Sequence, residues 1–249
     1  MKILVCIGNV PDTTTKIRFD AEMKNLDTNG VQWVINPWDE LALTRALEIK
    51  EKSGGKIEKV SVVNVGGVSA EPTIRKALAI GADDAFRVDA EPTDSYFIAA
   101  QIAEVVKNEN FDIVFTGLET SDFNSGTIGA MVAEFLDISS VSAVSAFDFD
   151  GDNFSITREI DGGKESISIE APFTIVVQKG ICINPRIPAM RGIMMARSKP
   201  IKVSQPVEAE ALVEATTFEV PPAKAECKMV DPENTDNLIE LLHGEAKVI

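Results

Sequence analysis

The chain has 249 residues, of which 45% are hydrophobic, and a formal net charge of −15. This length and apolar content suffice for one large folded domain, with or without an extension, and they exclude disorder for most of the chain. The acidic excess argues against general nucleic-acid binding, because neutralising phosphates requires an extended basic surface.

No apolar run approaches the roughly 18 residues of a membrane span, and the apolar start at residues 1–7 is too short for a signal peptide. The three cysteines Cys6, Cys182 and Cys227 are far apart and show no paired spacing. This pattern fits a reducing compartment without structural zinc. We therefore expect a soluble, cytoplasmic protein.

Strand-like and helix-like segments alternate from the start of the chain to residue 136. Residues 2–8 form an apolar run of the kind that is buried on both faces of a parallel sheet. Asn36 and Pro37 then open a helix that ends before Gly54, because asparagine caps helices and proline suits their first turn. The next predicted elements are strand 59–65, helix 69–80, strand 84–88, helix 94–107, strand 112–116 and helix 125–136. This alternation predicts an α/β fold with a Rossmann-like, doubly wound, mostly parallel sheet.

The pattern becomes strand-rich after Ser140. Strands are predicted at 141–149, 154–160, 166–169 and 173–177, and Asp-Gly turns that are typical of hairpins separate the first three. We expect these strands to extend the sheet as antiparallel edge hairpins. Beyond Pro200 only residues 234–243 read as a helix. The sequence thus predicts an α/β domain at 1–202, including a loop at 180–200, and a C-terminal arm at 203–249 that packs on a partner.

A basic segment interrupts the acidic chain. No acidic residue occurs between Glu170 and Glu208, whereas six basic residues do: Lys179, Arg186, Arg191, Arg197, Lys199 and Lys202. The remainder therefore carries a charge of −21, that is −15 minus 6. Residues 180–200 also concentrate methionine, isoleucine and arginine, which are adaptable or enriched at interfaces. An irregular connection is the alternative to a contact surface.

Ligand chemistry is expected at three turns that follow strands, at residues 8–15, 64–69 and 116–129, because open α/β sheets bind ligands there. The third turn combines glycines with hydroxyl and amide side chains that can bind phosphate oxygens. Its candidate ligand residues are Gly117, Asp122, Asn124 and Ser125, and the second turn adds Asn64 and Gly66.

Enzyme signatures are missing from the sequence. It contains neither a P-loop nor a GxGxxG motif that opens the first helix, and His243 is its only histidine. Cys6 lies within the first strand, where a small buried hydrophobe is its expected role. The residues indicate nucleotide binding and partner docking rather than a self-contained active site.

Several motifs, in order from residue 1 to about 202, resemble the β subunit of electron transfer flavoproteins. These are Asn36-Pro37, the run 73–83, the loop 117–129, the hairpin 158–165 followed by Ala171-Pro172, and the segment from Asn184-Pro-Arg186 through Ile193-Met194 to Lys199. The hairpin with its downstream proline is highly specific, whereas Asn-Pro alone would be weak.

The resemblance implies a heterodimer with a homologous α subunit that makes most of the contacts to a redox-active FAD. It further implies that electrons pass from flavin dehydrogenases, such as the acyl-CoA dehydrogenases of fatty acid oxidation, toward a membrane quinone oxidoreductase. This chain would then be an electron carrier subunit without catalytic residues, metal ligands or membrane insertion of its own. In this family the β subunit buries an AMP that has no redox role, and AMP is the cofactor predicted here.

The resemblance also assigns residues. The implied nucleotide contacts are Cys6, Asn36, Val65, Phe123, Gly126, Thr127 and Ile128. Family members commonly carry Asp, Asn, Gln and Thr at the last four of these positions, so phosphate contacts are expected to shift to backbone N–H groups, Ser125 and Thr127. Thr13 and Trp38 would lie near the flavin of the α subunit. Segment 180–200 resembles a partner-recognition loop, with Met190 as apolar anchor beside Arg186, Arg191 and Ile193.

Two other functions remain open. In an electron-bifurcating relative, a second FAD would replace AMP and oxidise NADH, and the turn from Val10 to Thr13 resembles that type. A stand-alone regulator resembling universal stress proteins would instead form a homodimer that binds ATP or AMP. The long strand-rich region after Ser140 is not needed for such a regulator.

Overall fold

The computed structural model describes residues 1–224 and 226–249. Its strands are β1 (Lys2–Cys6), β2 (Asn9–Pro11), β3 (Trp33–Ile35), β4 (Lys59–Val65), β5 (Asp84–Val88), β6 (Ile113–Gly117), β7 (Ser139–Phe149), β8 (Phe154–Ile160), β9 (Gly163–Ile169), β10 (Phe173–Val177) and β11 (Ile201–Ser204). Its α-helices are α1 (Pro37–Lys52), α2 (Glu71–Ile80), α3 (Ser95–Glu109), α4 (Ile128–Leu136), α5 (Met190–Ala196) and α6 (Thr235–Glu240). A short 3₁₀ turn, Val68–Ala70, leads into α2, and a π-helical segment, Leu241–Ala246, continues α6.

Nine strands form one sheet in the order β11-β5-β4-β1-β6-β10-β7-β8-β9. The strands from β11 to β7 are parallel to their neighbours, whereas β8 pairs antiparallel with both β7 and β9. A separate small antiparallel sheet joins β2 to β3. The predicted α/β class with a mostly parallel sheet is confirmed.

Helices cover both faces of the sheet, as continuous apolar strands require. On one face, Ile3 and Val5 of β1 share a core with Leu43 of α1 and Leu78 of α2. On the other face, Leu4 packs in a second core with residues of α3 and α4. The central strands are therefore buried on both sides.

The end of the sheet differs from the predicted row of edge hairpins. β10 lies inside the sheet, between β6 and β7, and is parallel to both. Only the hairpins joining β7, β8 and β9 are antiparallel. Asp-Gly turns report where the chain reverses locally, but they do not reveal that the returning strand inserts next to β6.

Three further local differences concern helix and strand positions. Helix α4 begins at Ile128 instead of residue 125, because Asn124 (φ 50°) and Gly126 (φ 63°) adopt the left-handed conformation and cannot lie in a right-handed helix. The basic segment, expected to be an extended loop, contains the two-turn helix α5. Strand β11 pairs with β5 and has no counterpart in the sequence prediction.

Beyond β11 the chain runs over the surface of the domain. The carboxylate of Asp94 accepts hydrogen bonds from the backbone N–H groups of Leu212 (2.7 Å) and Val213 (3.0 Å). Farther along, the ring of Phe218 stacks on that of Phe19 with centroids 4.9 Å apart. These contacts fix the path of the arm up to residue 218.

Candidate functional site

The strand order changes direction between β1 and β6. From β1 the chain proceeds outward through β4 and β5, and it then returns to place β6 on the opposite side of β1. At such a switch point the loops leave the strand ends in opposite directions and open a crevice that binds ligands in doubly wound sheets. We call the space beyond the carboxyl ends of β1, β4 and β6 the switch-point crevice.

Two buried side chains at the start of α1 tie the walls of this crevice together. The carboxylate of Asp39 accepts hydrogen bonds from the N–H of Gly8 (2.8 Å) and from the N–H of Gly117 (2.9 Å). Asn36 is fully buried; its side-chain amide donates to the carbonyl of Glu119 (2.8 Å) and accepts from the N–H of Ser121 (3.2 Å). Asn36 thus supports the loop after β6.

Burial raises the pKa of Asp39 to about 7, and hydrogen-bond donors on Gly8, Asn36 and Gly117 partly offset this shift. No motif in the sequence marks Asp39 as a site residue. Its partners lie 31 and 78 positions away in sequence, so only the fold reveals the connection.

The loop after β6 presents most of the predicted phosphate-binding residues to solvent. Asp122, Phe123, Asn124, Ser125 and Gly126 are exposed, and Thr127 and Ile128 are half-buried at the start of α4. The hydroxyl of Ser125 lies 2.9 Å from that of Ser95, at the start of α3. The loop therefore lies between two helix N-termini.

The turn after β4 forms a second wall of the crevice. Asn64, Val65 and Gly66 are all buried. Asn64 donates through its side-chain amide to the carbonyl of Ile7 (2.8 Å), which joins the ends of β4 and β1. Arg87 donates to the carbonyl of Gly66 (3.0 Å) from β5.

The remaining crevice predictions fall at its floor and rim. Cys6 ends β1 and is buried, and desolvation, reinforced by the nearby carboxylate of Asp39, raises the pKa of its thiol. Trp38 lies beside the end of β6, where a Cβ on Gly117 would lie 2.6 Å from the Cβ of Trp38. Thr13 is exposed just beyond β2.

The predicted recognition residues lie apart from the crevice, on segment 180–200. Met190 is 75% exposed, Ile193 is 44% exposed, and Arg191 is also exposed. Arg186 differs because its guanidinium forms a bidentate ion pair with Glu51 (2.7 and 2.9 Å). Arg186 therefore fastens the segment to α1, whereas Met190 and its neighbours face solvent.

Within residues 1–224 and 226–249, no group of histidine, cysteine, aspartate and glutamate side chains is arranged to hold a metal ion. The helices in this described part of the chain are also too short or too polar to cross a membrane. His243 lies exposed in the π-helical segment.

A sequence profile described as the electron transfer flavoprotein domain matches residues 24–209. The electron transfer flavoprotein subunit beta of Bacillus subtilis is 32% identical to this chain, with 100% of both sequences aligned. The chain belongs to the electron transfer flavoprotein β-subunit family. The subunit beta of Syntrophomonas wolfei is 36% identical over 90% of this chain and 88% of its own length. The human subunit beta is 31% identical over 97% and 96%, respectively.

Membership of the electron transfer flavoprotein family assigns a role in flavin-linked electron transfer. The resemblance drawn from the sequence motifs is thereby confirmed at the level of the family. The match includes the turn after β4, the loop after β6 and segment 180–200, whereas β1 and β2 lie before residue 24.

Proposed function

We propose that this chain binds one AMP in the switch-point crevice, pairs with an α subunit that holds FAD, and docks flavin dehydrogenases. Electrons would then pass from the dehydrogenase to the α-subunit FAD and on toward a quinone oxidoreductase. The chain serves as an electron carrier subunit in this proposal and not as an enzyme. The observation that carries the proposal is a crevice with an open, glycine-containing loop at the topological switch point of a family member.

The loop after β6 supports phosphate binding through its backbone. Among the described residues, the N–H groups of Ser125, Gly126 and Thr127 donate no hydrogen bond to a backbone carbonyl. These groups precede α4, whose N-terminus carries the positive end of the helix dipole. The hydroxyls of Ser125 and Thr127 add donors. An anion can therefore bind without a lysine, although the family's usual polar side chains are replaced here.

The buried side of the crevice supports the rest of the nucleotide. Val65 and Cys6 offer an apolar floor at the ends of two neighbouring strands, and Gly66 lets the backbone approach a base or ribose. The family resemblance predicts Asn36 as a direct contact. Because its amide is already used by Glu119 and Ser121, we propose that it acts by shaping the loop.

The C-terminal region supports a separate interface with the α subunit. Many of its apolar side chains are more than half exposed, a costly arrangement for an isolated chain. They are Leu212, Val213, Val220, Met229, Ile239, Val248 and Ile249. We therefore propose that residues 1–202 form the nucleotide-binding domain and that 203–249 form an arm that packs on the partner.

Segment 180–200 supports dehydrogenase docking. Its exposed apolar side chains include Ile187 (85% exposed), Met190 and Met194 (68% exposed). The exposed basic residues Arg191 and Arg197 lie in the same segment of an otherwise acidic chain. An apolar anchor gives a transient interface its specificity, and basic side chains accelerate encounter with an acidic partner. Arg186 is excluded from this steering role by its ion pair with Glu51.

The deciding experiment is to co-purify the chain with its α subunit, record an absorbance spectrum and extract the nucleotides. One FAD and one AMP per complex support the proposal. Two FAD molecules, bleached by NADH alone, would instead support an electron-bifurcating complex. A colourless homodimer that carries ATP or AMP would support a stand-alone regulator.

A pair of glycine variants locates the AMP. Gly126→Val places a β-branched residue at φ 63°, and Gly162→Val does the same at φ 84° in the turn between β8 and β9. Both turns are open to solvent. Apart from the chain neighbours, no atom of residues 1–224 and 226–249 lies within 4 Å of a Cβ on Gly162, and only the carbonyl of Leu118 (3.6 Å) lies near one on Gly126. We expect Gly126→Val to lose AMP while retaining FAD and Gly162→Val to retain both. Equal AMP content in the two variants would contradict the placement of AMP at this loop.

A further inference from the structure

The carboxylate of Asp39 is the only side chain in the described residues that bonds the ends of both β1 and β6. It is 5% exposed, and its two oxygens accept hydrogen bonds from different strands, one from Gly8 after β1 and the other from Gly117 at the end of β6. These two N–H groups belong to the segments that leave β1 and β6, on the two sides of the switch point. The Asp39 carboxylate therefore links the two segments directly.

The close fit around Gly117 reinforces this arrangement. A Cβ on Gly117 would lie 2.3 Å from Oδ1 of Asp39 and 2.6 Å from the Cβ of Trp38. The strand end thus lies directly against α1, and only glycine permits this approach. The loop that follows Gly117 starts from a fixed point.

Asn36, three residues earlier in the chain, continues the same support. Its backbone N–H donates to the carbonyl of Gly8 (3.0 Å), while its side chain holds Glu119 and Ser121. Between Gly117 and Ser121 the loop is therefore attached to the start of α1. From Asp122 onward the loop is exposed, and the phosphate donors proposed above begin at Ser125.

We propose that Asp39 is a positioning residue for nucleotide binding: it fixes the gap between the ends of β1 and β6 and so sets the start of the phosphate loop. This inference rests on the proposed nucleotide site. In this proposal Asp39 acts indirectly, because its two oxygens already accept hydrogen bonds from the protein backbone. Its carboxylate occupies the N–H groups of Gly8 and Gly117 and holds them in place, so that these two groups do not bind the ligand.

Substitutions of this carboxylate differ in how many acceptors they leave. A carboxylate can accept from both N–H groups, whereas the amide of asparagine offers one acceptor and places an NH₂ group against the other N–H. Alanine offers no acceptor and leaves two backbone donors unsatisfied. We therefore expect nucleotide affinity to be highest in the wild type, lower in Asp39→Asn and lowest in Asp39→Ala.

The test uses the co-purified complex with its α subunit, freed of resident nucleotide and titrated with radiolabelled AMP in equilibrium dialysis. We expect Asp39→Ala to weaken AMP binding by about tenfold or more and Asp39→Asn by an intermediate factor. FAD content should not change. Thermal midpoints of the AMP-free complexes measure any general loss of stability.

Asp84→Asn is the matched control. Asp84 is also buried (6% exposed), and it accepts hydrogen bonds from Ser61 (2.5 Å) and Lys59 (2.6 Å). It lies at the start of β5, at the opposite end of the strands from the crevice. We expect Asp84→Asn to lower the thermal midpoint by a comparable amount and to leave AMP affinity unchanged. Loss of AMP affinity in the Asp39 variants alone would then identify a positioning role.

The outcomes separate this inference from the proposed function. If the wild-type complex binds no AMP, the proposed function fails and the positioning role falls with it. If the wild type binds AMP and Asp39→Ala binds equally well, only the role of Asp39 is overturned. If the variants fail to fold, the exchange rate of the Gly117 amide hydrogen in the wild-type complex tests the role of Asp39 instead. We expect this amide to be protected before AMP is added. Exchange as fast as that of the Gly126 amide would refute the inference.

Discussion

Replacing Gly192 with alanine is expected to destabilise the protein, although helix propensity alone predicts the opposite sign. Gly192 lies in α5, where it packs on the last turn of α2. A Cβ at this position would lie 2.3 Å from the carbonyl oxygen of Ala79. That distance is roughly 1 Å inside ordinary van der Waals contact.

Neither helix can move apart at low cost. Arg75 of α2 donates to the carbonyls of Ala196 (2.7 Å) and Lys199 (2.6 Å). The ammonium group of Lys199 in turn donates hydrogen bonds to the carbonyls of Leu78 (3.0 Å) and Ala82. Ala196 is buried in the core. The new methyl group must therefore strain these contacts or displace α5.

The two opposing effects can be compared. Alanine gains about 1 kcal/mol over glycine in a helix interior. Overpacking costs about 1–3 kcal/mol, and because the clashing atom is a backbone carbonyl, we take the upper part of this range, about 2–3 kcal/mol. We expect a net loss of about 1–2 kcal/mol, which corresponds to about 2–8 °C in thermal midpoint for a chain of this size. Displacement of α5 should also slow electron transfer from flavin dehydrogenases.

The assay is the thermal midpoint of the co-purified complex, with Gly244→Ala as control. Gly244 lies in the π-helical segment, and apart from its own turn no atom of the described residues lies within 4 Å of a Cβ there. We expect Gly244→Ala to be neutral or slightly stabilising. A Gly192→Ala complex as stable as the wild type would refute the close contact between α5 and α2.

Other predictions test docking, titration and the arm. Met190→Ala should slow electron transfer from dehydrogenases by about tenfold or more without changing flavin content, since hot-spot truncations cost about 2 kcal/mol. Ile160→Ala, which changes a 43% exposed residue at the end of β8, should not slow it. Equal rates would exclude Met190 as the anchor. The pKa of Asp39 is about 7 in the folded protein, whereas its ordinary value is 3.8. The stability that this raised pKa gives the folded state is therefore fully present below about pH 3.8 and is lost as the pH rises through 7. The free energy of unfolding of the wild type, relative to that of Asp39→Asn, should therefore fall as the pH rises from 5 to 8, by at most about 1.4 kcal/mol per pH unit. Thermal midpoints of the two proteins that change with pH in parallel would contradict this. Asp94→Ala should speed proteolysis near residues 212–213 in the isolated chain, because two backbone N–H groups lose their acceptor, and an unchanged cleavage rate would argue against this attachment.

The sequence predicts those elements that carry their own local signal. The strand at 59–65 and the strand at 84–88 are both predicted with the bounds that the structure has. Strand β11 carries no such signal, because three of its four residues are exposed. Backbone pairing with β5 alone makes it a strand. Tertiary pairing of this kind cannot be read from periodicity.

The candidate site likewise has parts that the sequence predicts and parts that it does not. Glycines and hydroxyls in the loop after β6 are visible in the sequence, and so is the start of α1 at Asn36-Pro37. The bonds from Asp39 to Gly8 and Gly117 are not, because they join three segments that only the sheet topology brings together. Local motifs therefore mark the loop that would face a ligand but not the residue that supports it.

Stopped-flow reduction of the co-purified complex tests the electron-carrier role most directly. The flavin absorbance should bleach when a catalytic amount of an acyl-CoA dehydrogenase and its substrate are added, and it should return when a quinone oxidoreductase and quinone follow. NADH alone should leave the flavin oxidised. Bleaching by NADH alone, or no reduction by any flavin dehydrogenase, would contradict the account.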